Sequence, residues 1–150
     1  MKPALLDVNF LIALIDPEHE FHPQAHVWFK RNRRYGWATC PLTENACLRI
    51  LGNPAYPFIG VTVNTIRDIL AELVLLEGHR FWPDSISILD VSRFDLTLAS
   101  PKHVTDIYLL SLARSFSGRL VTFDHAIRWQ AASGCSPSDL EILPVNLPRS

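Results

Sequence analysis

Short apolar runs alternate with segments of helical periodicity along this chain, and the alternation limits the folds open to it. The apolar runs lie at residues 4–6, 36–40, 85–89, 119–123 and 140–143. Apolar runs of this length are typical of buried strands, and helices placed between strands favour a parallel sheet. We therefore predict one α/β domain over residues 1–150, a three-layer α/β/α sandwich around a short, mainly parallel sheet.

Composition excludes several classes of protein. Hydrophobic residues make up 48% of the chain and charged residues 19%, which excludes a disordered protein. The formal net charge of −1 gives no positive field over the whole molecule, so any binding of nucleic acid would depend on local patches. No apolar stretch approaches the roughly 20 residues that span a membrane, and three cysteines without CxxC spacing favour a reducing compartment. We predict a cytoplasmic protein.

Acidic residues interrupt the apolar pattern where strands are predicted to end. Asp7 follows two leucines, and Asp124 closes the run at 119–123. Ligands bind at the carboxyl ends of strands in open parallel sheets. Glu44 and Asp106 lie in the first turns of two predicted helices. We therefore expect four carboxylates to converge on one edge of the sheet.

Each of these acids also has a purely structural interpretation. Glu44 and Asp106 would complement the positive end of a helix, and Asp7 or Asp124 would serve as an N-cap. Four carboxylates in one cleft, however, repel one another and have raised pKa values. A hard divalent cation removes that repulsion and keeps coordination positions open for phosphate. The pattern as a whole therefore points to metal-assisted phosphoryl chemistry.

Four short motifs carry a family resemblance: Leu-Leu-Asp-Val-Asn at residues 5–9, Pro-Leu-Thr-Glu at 41–44, Val-Thr-Asp at 104–106 and Leu-Val-Thr-Phe-Asp at 120–124. In order and spacing they resemble the acidic motifs of PIN-domain nucleases, and more narrowly the VapC toxins of bacterial toxin–antitoxin pairs. The resemblance implies a metal-dependent endoribonuclease, a homodimer, that is inhibited by a cognate antitoxin. It also implies the catalytic acids Asp7, Glu44, Asp106 and Asp124.

The same resemblance assigns the metal site. Asp7, Asp106 and Asp124 would bind Mg²⁺, with Mn²⁺ as the alternative ion, while Asn9 and Thr122 would orient the ligands. Glu44 would be a ligand or would accept a proton from the attacking water. Many relatives have a further acid shortly after the last motif, whereas His125 follows Asp124 here. We expect a second ion to arrive with the substrate phosphate.

The cations suggest how a near-neutral protein could bind RNA. Arg49 lies one turn and a residue beyond Glu44 and is a candidate for contacting phosphate at the site. The one strong basic run, with Trp28 and Tyr35 beside it for base stacking, consists of Lys30, Arg31, Arg33 and Arg34. A solvated helix end explains the basic run equally well.

Several interpretations stay open at this point. A phosphoacceptor or phosphotransfer domain and a catalytically silent binding module also fit an α/β fold with acids at its strand ends. His103 either reaches the phosphate or is an ordinary loop residue. For the cluster of His19, His22 and His26, a solvent-facing helix is favoured over a metal site. The loop at residues 53–60 would either contact a base or the antitoxin, or serve as a packed connector between helices.

Overall fold

The computed structural model describes residues 1–57 and 61–145. The strands within these residues are β1 (Ala4–Leu6), β2 (Trp37–Thr39), β3 (His79–Phe81), β4 (Arg119–Thr122) and β5 (Leu140–Ile142). The helices are α1 (Val8–Ile15), α2 (His22–Asn32), α3 (Pro41–Leu51), α4 (Val63–Leu73) and α5 (Val104–Ser115). None of the described helices is both long and apolar enough to cross a lipid bilayer.

All five strands run parallel, in the order β3-β2-β1-β4-β5. From β1 the chain continues to β2 on one side, and from β4 it continues to β5 on the other. The direction of winding therefore reverses between β1 and β4. In an open parallel sheet this reversal opens a crevice at the carboxyl ends of the two strands. Asp7 and Asp124 follow those two strands.

Helices cover both faces of the sheet. Because successive side chains of a strand point to opposite faces, Ala4 and Leu6 of β1 pack with α1 to α4, and Leu5 packs with α5. All three residues are fully buried. This arrangement confirms the predicted three-layer α/β/α sandwich with a parallel sheet.

One predicted strand is wrong. Residues 85–89 form a loop, and the edge strand β3 is instead His79–Phe81. The alternation that suggested a strand is real, since Ile86 and Ile88 pack against the core beneath α5. The two isoleucines pack there without joining the sheet. β3 was not predicted because it lacks the apolar run that marks a buried strand. It lies at the edge of the sheet, where its residues are half-buried or exposed.

Two helix predictions also need correction. Apolar residues recur at helical spacing over residues 62–77 and predict a helix there. The observed helix α4 ends at Leu73, and turns lead from there to Gly78. Gly78 has φ +87°, and a Cβ there would lie 2.0 Å from the carbonyl oxygen of Arg33, so only glycine fits. The short helix predicted from Asp124 onward is absent among these described residues, where the Asp124 carboxylate instead closes a turn by accepting from the Ala126 N–H at 2.9 Å.

Candidate active site

Asp7 is anchored at the crevice by two hydrogen bonds. As the N-cap of α1, its Oδ1 accepts the N–H of Val8 at 2.8 Å. Its Oδ2 accepts the hydroxyl of Thr122, at the end of β4, at 2.7 Å. The residue is 1% exposed, and this burial raises the pKa of Asp7 despite the two donors. The N-cap interpretation therefore holds, but one oxygen of the same carboxylate is turned across the crevice toward β4.

Asp106 lies in the first turn of α5, beside Asp7. Each of the two carboxyl groups is close enough to shift the pKa of the other. Burial, together with the negative charges of Asp7 and Asp124, raises the pKa of Asp106 to about 8. Asp106 therefore keeps its proton at neutral pH when no cation is present.

Asp124 completes the acidic cluster on the side of β4. Its Oδ2 lies 2.9 Å from Nε2 of His103, the residue directly before α5. One ligand atom from each of His103, Asp106 and Asp124 lies within 4.8 Å of the others. The two predictions for His103, a phosphate contact or an ordinary loop residue, did not place it beside these acids, although it lies three residues, about one helical turn, before Asp106.

Thr122 and Asn9 connect the acids. The Thr122 hydroxyl, besides donating to Asp7, accepts the Asn9 amide at 3.1 Å and the N–H of Asp124 at 3.1 Å. The Asn9 Oδ1 accepts the N–H of Phe123 at 3.2 Å. The two residues thus tie the start of α1 to the end of β4. This geometry fits their predicted role in orienting the metal ligands.

Glu44 lies at the same edge of the sheet but outside the close group of ligand atoms. Its Oε2 accepts the hydroxyl of Thr39, the last residue of β2, at 2.7 Å. Because that hydrogen is committed to Glu44, the Nε2–H of His79, 2.8 Å away, donates to the Thr39 oxygen. Burial lowers the pKa of His79, so its ring is neutral at pH 7. These two hydrogen bonds, from His79 to Thr39 and from Thr39 to Glu44, fix the orientation of the Glu44 side chain.

Arg49 is the predicted RNA-binding cation that lies beside the acids. It lines a groove of about 480 Å³ together with Asp106 and residues of α1 and α3. A phosphate chain lying in it would therefore meet Arg49 next to the carboxylates.

The basic run lies at the opposite edge of the sheet. It spans the end of α2 and the turn before β2, and strands parallel to β2 place their amino ends at that edge. A second groove there, of about 490 Å³, is lined by Met1, Lys30, Arg31, Asn32, Arg34 and Tyr35. No acidic partner within ion-pair distance of the four basic side chains exists among the described residues. Binding of RNA by the run stays a prediction.

The aromatic neighbours of that run differ in access. Trp28 is 7% exposed, and its Nε1–H donates to Glu141 at 2.8 Å, so its ring is closed to a base. The Tyr35 ring is partly exposed and lies under the guanidinium of Arg34, 4.8 Å from its centroid. Only Tyr35 fits the predicted stacking role.

Two further features fit their structural interpretations. The rings of His22 and His26 stack on one another. The His22 Nδ1 is hydrogen-bonded to the carbonyl oxygen of Ala13 at 2.8 Å, so this nitrogen is not available to a metal. In the loop at 53–60, the Tyr56 hydroxyl donates to Asp16 at 2.7 Å, as expected of a packed connector. Residues 58–60 of that loop lie outside the described residues.

The donor set fits a divalent cation. Asp106 and Asp124 belong to the close group of ligand atoms, and Asp7 lies beside Asp106 but outside that group. Within the described parts of the chain neither lysine nor arginine forms an ion pair with any of the three acids. Buried carboxylates without a positive partner are costly, which explains why the pKa of Asp106 is raised. Oxygen ligands with a net negative charge are those that Mg²⁺ and Mn²⁺ prefer.

Comparison with known proteins identifies the family. No protein-family model matches the chain. Ribonuclease VapC44 of Mycobacterium tuberculosis strain H37Rv is 42% identical over 141 residues, which cover 93% of this chain and 99% of that protein. The chain belongs to the VapC ribonuclease family. The prediction from the four acidic motifs is thereby confirmed.

Other relatives agree. Ribonuclease VapC39 of the same strain is 41% identical over 132 residues, covering 87% of this chain and 95% of that protein. Ribonuclease VapC38 is 42% identical over 125 residues, covering 83% of this chain and 86% of that protein. These relationships favour a VapC ribonuclease over a phosphotransfer domain or a silent binding module.

Proposed function

We propose that this VapC-family protein is the toxin of a type II toxin–antitoxin pair and cleaves RNA as a Mg²⁺-dependent endoribonuclease, with Mn²⁺ as a substitute ion. The observation that carries the proposal is the close group of ligand atoms that includes Asp106 and Asp124, with the buried carboxylate of Asp7 beside Asp106. A divalent ion bound there would take the place of the Asp106 proton and would relieve the repulsion among the three carboxylates. We take RNA as the substrate because the relatives are named ribonucleases.

The four acids have two tasks in this proposal. Asp7, Asp106 and Asp124 would hold the ion, while Thr122 and Asn9 keep Asp7 and Asp124 in place through the hydrogen bonds of the crevice. The bound metal would supply a water of lowered pKa and would stabilise charge on the leaving 3′ oxygen. Glu44, directed by Thr39, accepts the proton of the attacking water. The products carry 5′-phosphate and 3′-hydroxyl ends.

Removing the hydroxyl of Thr39 tests the role of Glu44. We expect Thr39→Val to lower kcat by about 10–100-fold, the usual cost of losing a residue that orients a functional group. KM should change little, since Thr39 is fully buried and does not line the groove. Thr39→Ser keeps the hydroxyl and should restore most of the activity. Equal losses of kcat in the serine and valine variants would contradict this role.

Arg49 should contact RNA beside the scissile bond. We expect Arg49→Gln to lower kcat/KM by about 10–100-fold, since a charge-assisted contact is worth roughly 1.5–3 kcal/mol. The substrate should be a single-stranded oligonucleotide of about eight nucleotides, a length that one binding groove accommodates. Initial rates on this short oligonucleotide report RNA contacts in the groove and not contacts with surfaces farther away.

Arg31→Gln at the opposite edge of the sheet is the matched control. On the short oligonucleotide it should leave kcat/KM unchanged. On a long structured RNA it should weaken binding and flatten the salt dependence of affinity, as expected for loss of a phosphate contact. A loss on the short substrate equal to that of Arg49→Gln would contradict the placement of the RNA along the Arg49 groove.

We also propose partners and a location for the protein. A cognate antitoxin would bind it, and two copies would form a homodimer. Apolar side chains around α4 would contribute to the contact between copies, since Val63, Leu75 and Leu76 are 51%, 83% and 40% exposed. The protein would act in the cytoplasm, where its RNA substrate lies.

A cleavage assay with purified protein tests the proposed activity. A fluorescent RNA should be cut in Mg²⁺ or Mn²⁺ and should stay intact in excess EDTA. Digestion of the products by a 5′-phosphate-dependent exonuclease identifies their ends. Cleavage that persists in EDTA, or products with 5′-hydroxyl ends, would contradict a metal-dependent hydrolase.

A further inference from the structure

We propose that His103 is a ligand of the divalent ion, so that the site binds metal through one imidazole nitrogen as well as carboxylate oxygens. The inference rests on the proposed function, because it concerns the same ion. It adds a residue outside the four acidic motifs. It also explains how this chain completes its donor set, given that His125 and not an acid follows Asp124.

The backbone places His103 at the cluster. The residue ends the short 3₁₀ turn Pro101–His103, and α5 begins with the next residue. Asp106 therefore lies three residues further on, about one helical turn away. His103 is 6% exposed, so its ring lies inside the protein with Nε2 directed at Asp124.

The distance between His103 and Asp124 matches that between neighbouring ligands of one ion. Nε2 of His103 and Oδ2 of Asp124 are 2.9 Å apart, and both lie within 4.8 Å of an oxygen of Asp106. Neighbouring ligands of an octahedral ion bound at about 2.1 Å are roughly 3 Å apart, and opposite ligands roughly 4.2 Å apart. The distance of 2.9 Å is that of neighbouring ligands, and a small movement of the Asp106 side chain would bring its oxygen into the same coordination sphere.

A purely orienting role for His103 explains less. Asp124 is already fixed by the N–H of Ala126, which donates to its Oδ1 at 2.9 Å, and by its own N–H, which donates to Thr122 at 3.1 Å. The carboxylate would keep its direction without the imidazole. In the metal-free protein the 2.9 Å contact requires the Nε2–H to donate to Asp124. With the ring proton on Nδ1 instead, the Nε2 lone pair is available to an ion between the ring and the carboxylates.

Nitrogen ligation has a consequence for metal preference. Mg²⁺ prefers oxygen ligands, whereas Mn²⁺ accepts imidazole more readily. We therefore expect the protein to favour Mn²⁺ over Mg²⁺ more strongly than the His103→Gln variant does. The ratio of the two affinities, measured by competition, should fall by about 10-fold in the variant.

Pulsed electron paramagnetic resonance of bound Mn²⁺ tests the ligand directly. The full chain, loaded with one equivalent of Mn²⁺, should show coupling to a directly bound nitrogen, and ¹⁵N-labelling of histidine should change that coupling. His103→Gln should abolish it. His125→Gln is the matched control, because His125 also adjoins Asp124 but its Nε2 lies 3.1 Å from the carbonyl oxygen of Leu143. The coupling should persist in that variant.

The outcomes separate this inference from the proposed function. Mn²⁺ that binds to the wild-type protein and is lost in Asp106→Asn, yet shows no coupling to histidine nitrogen, would overturn the role of His103 and leave the proposed nuclease intact. Failure of the protein to bind Mn²⁺, with RNA cleavage that persists in EDTA, would overturn both. The isotope comparison uses wild-type protein, so it does not depend on how the His103 variant folds.

Discussion

Replacing Asp106 with asparagine should abolish metal-dependent cleavage and make the metal-free protein more resistant to unfolding at pH 8. Loss of a charged ligand should lower the cleavage rate by at least about 10²–10³-fold, the usual effect of removing one preorganised electrostatic group. Asparagine retains the shape and one oxygen of the side chain. The effect should therefore come from charge and not from packing.

The gain in stability follows from the raised pKa. In the folded protein Asp106 keeps its proton up to a pKa of about 8, whereas in the unfolded chain it ionises near 3.8. The free energy of unfolding of the metal-free wild type therefore falls as pH rises between these values, because the unfolded state binds fewer protons. Because asparagine does not ionise, the free energy of unfolding of Asp106→Asn should not fall in this way as pH rises.

Thermal melting with and without Mg²⁺ measures both effects. Mg²⁺ should raise the melting temperature of the wild type, because a ligand that binds only the folded state stabilises it. It should leave Asp106→Asn unchanged. Asp68→Asn, which alters an exposed acid on α4, should behave as the wild type does. Equal stabilisation of Asp106→Asn and wild type by Mg²⁺ would contradict the assignment of Asp106 as a ligand.

Metal affinity should depend steeply on pH up to about 8. An ion that enters the site would displace the proton of Asp106, since ligating carboxylates must be ionised. Below the Asp106 pKa of about 8 the affinity should fall about 10-fold per pH unit, which is what release of one proton per ion requires. Above that pH the affinity should level off.

Calorimetry at several pH values, in buffers with different ionisation heats, counts the released protons. We expect about one proton per ion at pH 6 and close to none at pH 9. Thr122→Val removes the hydroxyl that donates to Asp7 and should weaken binding at every pH without abolishing proton release. An affinity for metal that does not change between pH 6 and pH 8 would contradict displacement of the Asp106 proton.

The sequence predicted the parts of the site that local pattern determines. Asp7 and Asp124 each interrupt an apolar run, and a buried strand followed by an acid identifies the carboxyl edge of a parallel sheet. Asp106 and Asp124 come together there, and Asp7 lies beside Asp106. Glu44 reaches the same edge, but its link through Thr39 to His79 joins residues far apart in the chain. No local pattern could reveal that link.

Other features depend on the order of the strands. β3 has no buried apolar side chains to mark it, because an edge strand of this sheet is covered on fewer sides. The basic run that includes Arg31 lies opposite the acids, and this is determined only once β2 is known to run parallel to β1. His103 carried no signal beyond its distance from Asp106. The extent of the single domain over residues 1–150 stays a prediction.

Sequencing of RNA ends in cells tests the central claim most directly. Brief expression of the wild-type protein should create new 5′-phosphate ends at a small set of positions. Expression of Asp106→Asn to the same level should create none of them. The same set of new ends in cells that express Asp106→Asn would contradict the claim that these carboxylates carry out RNA cleavage.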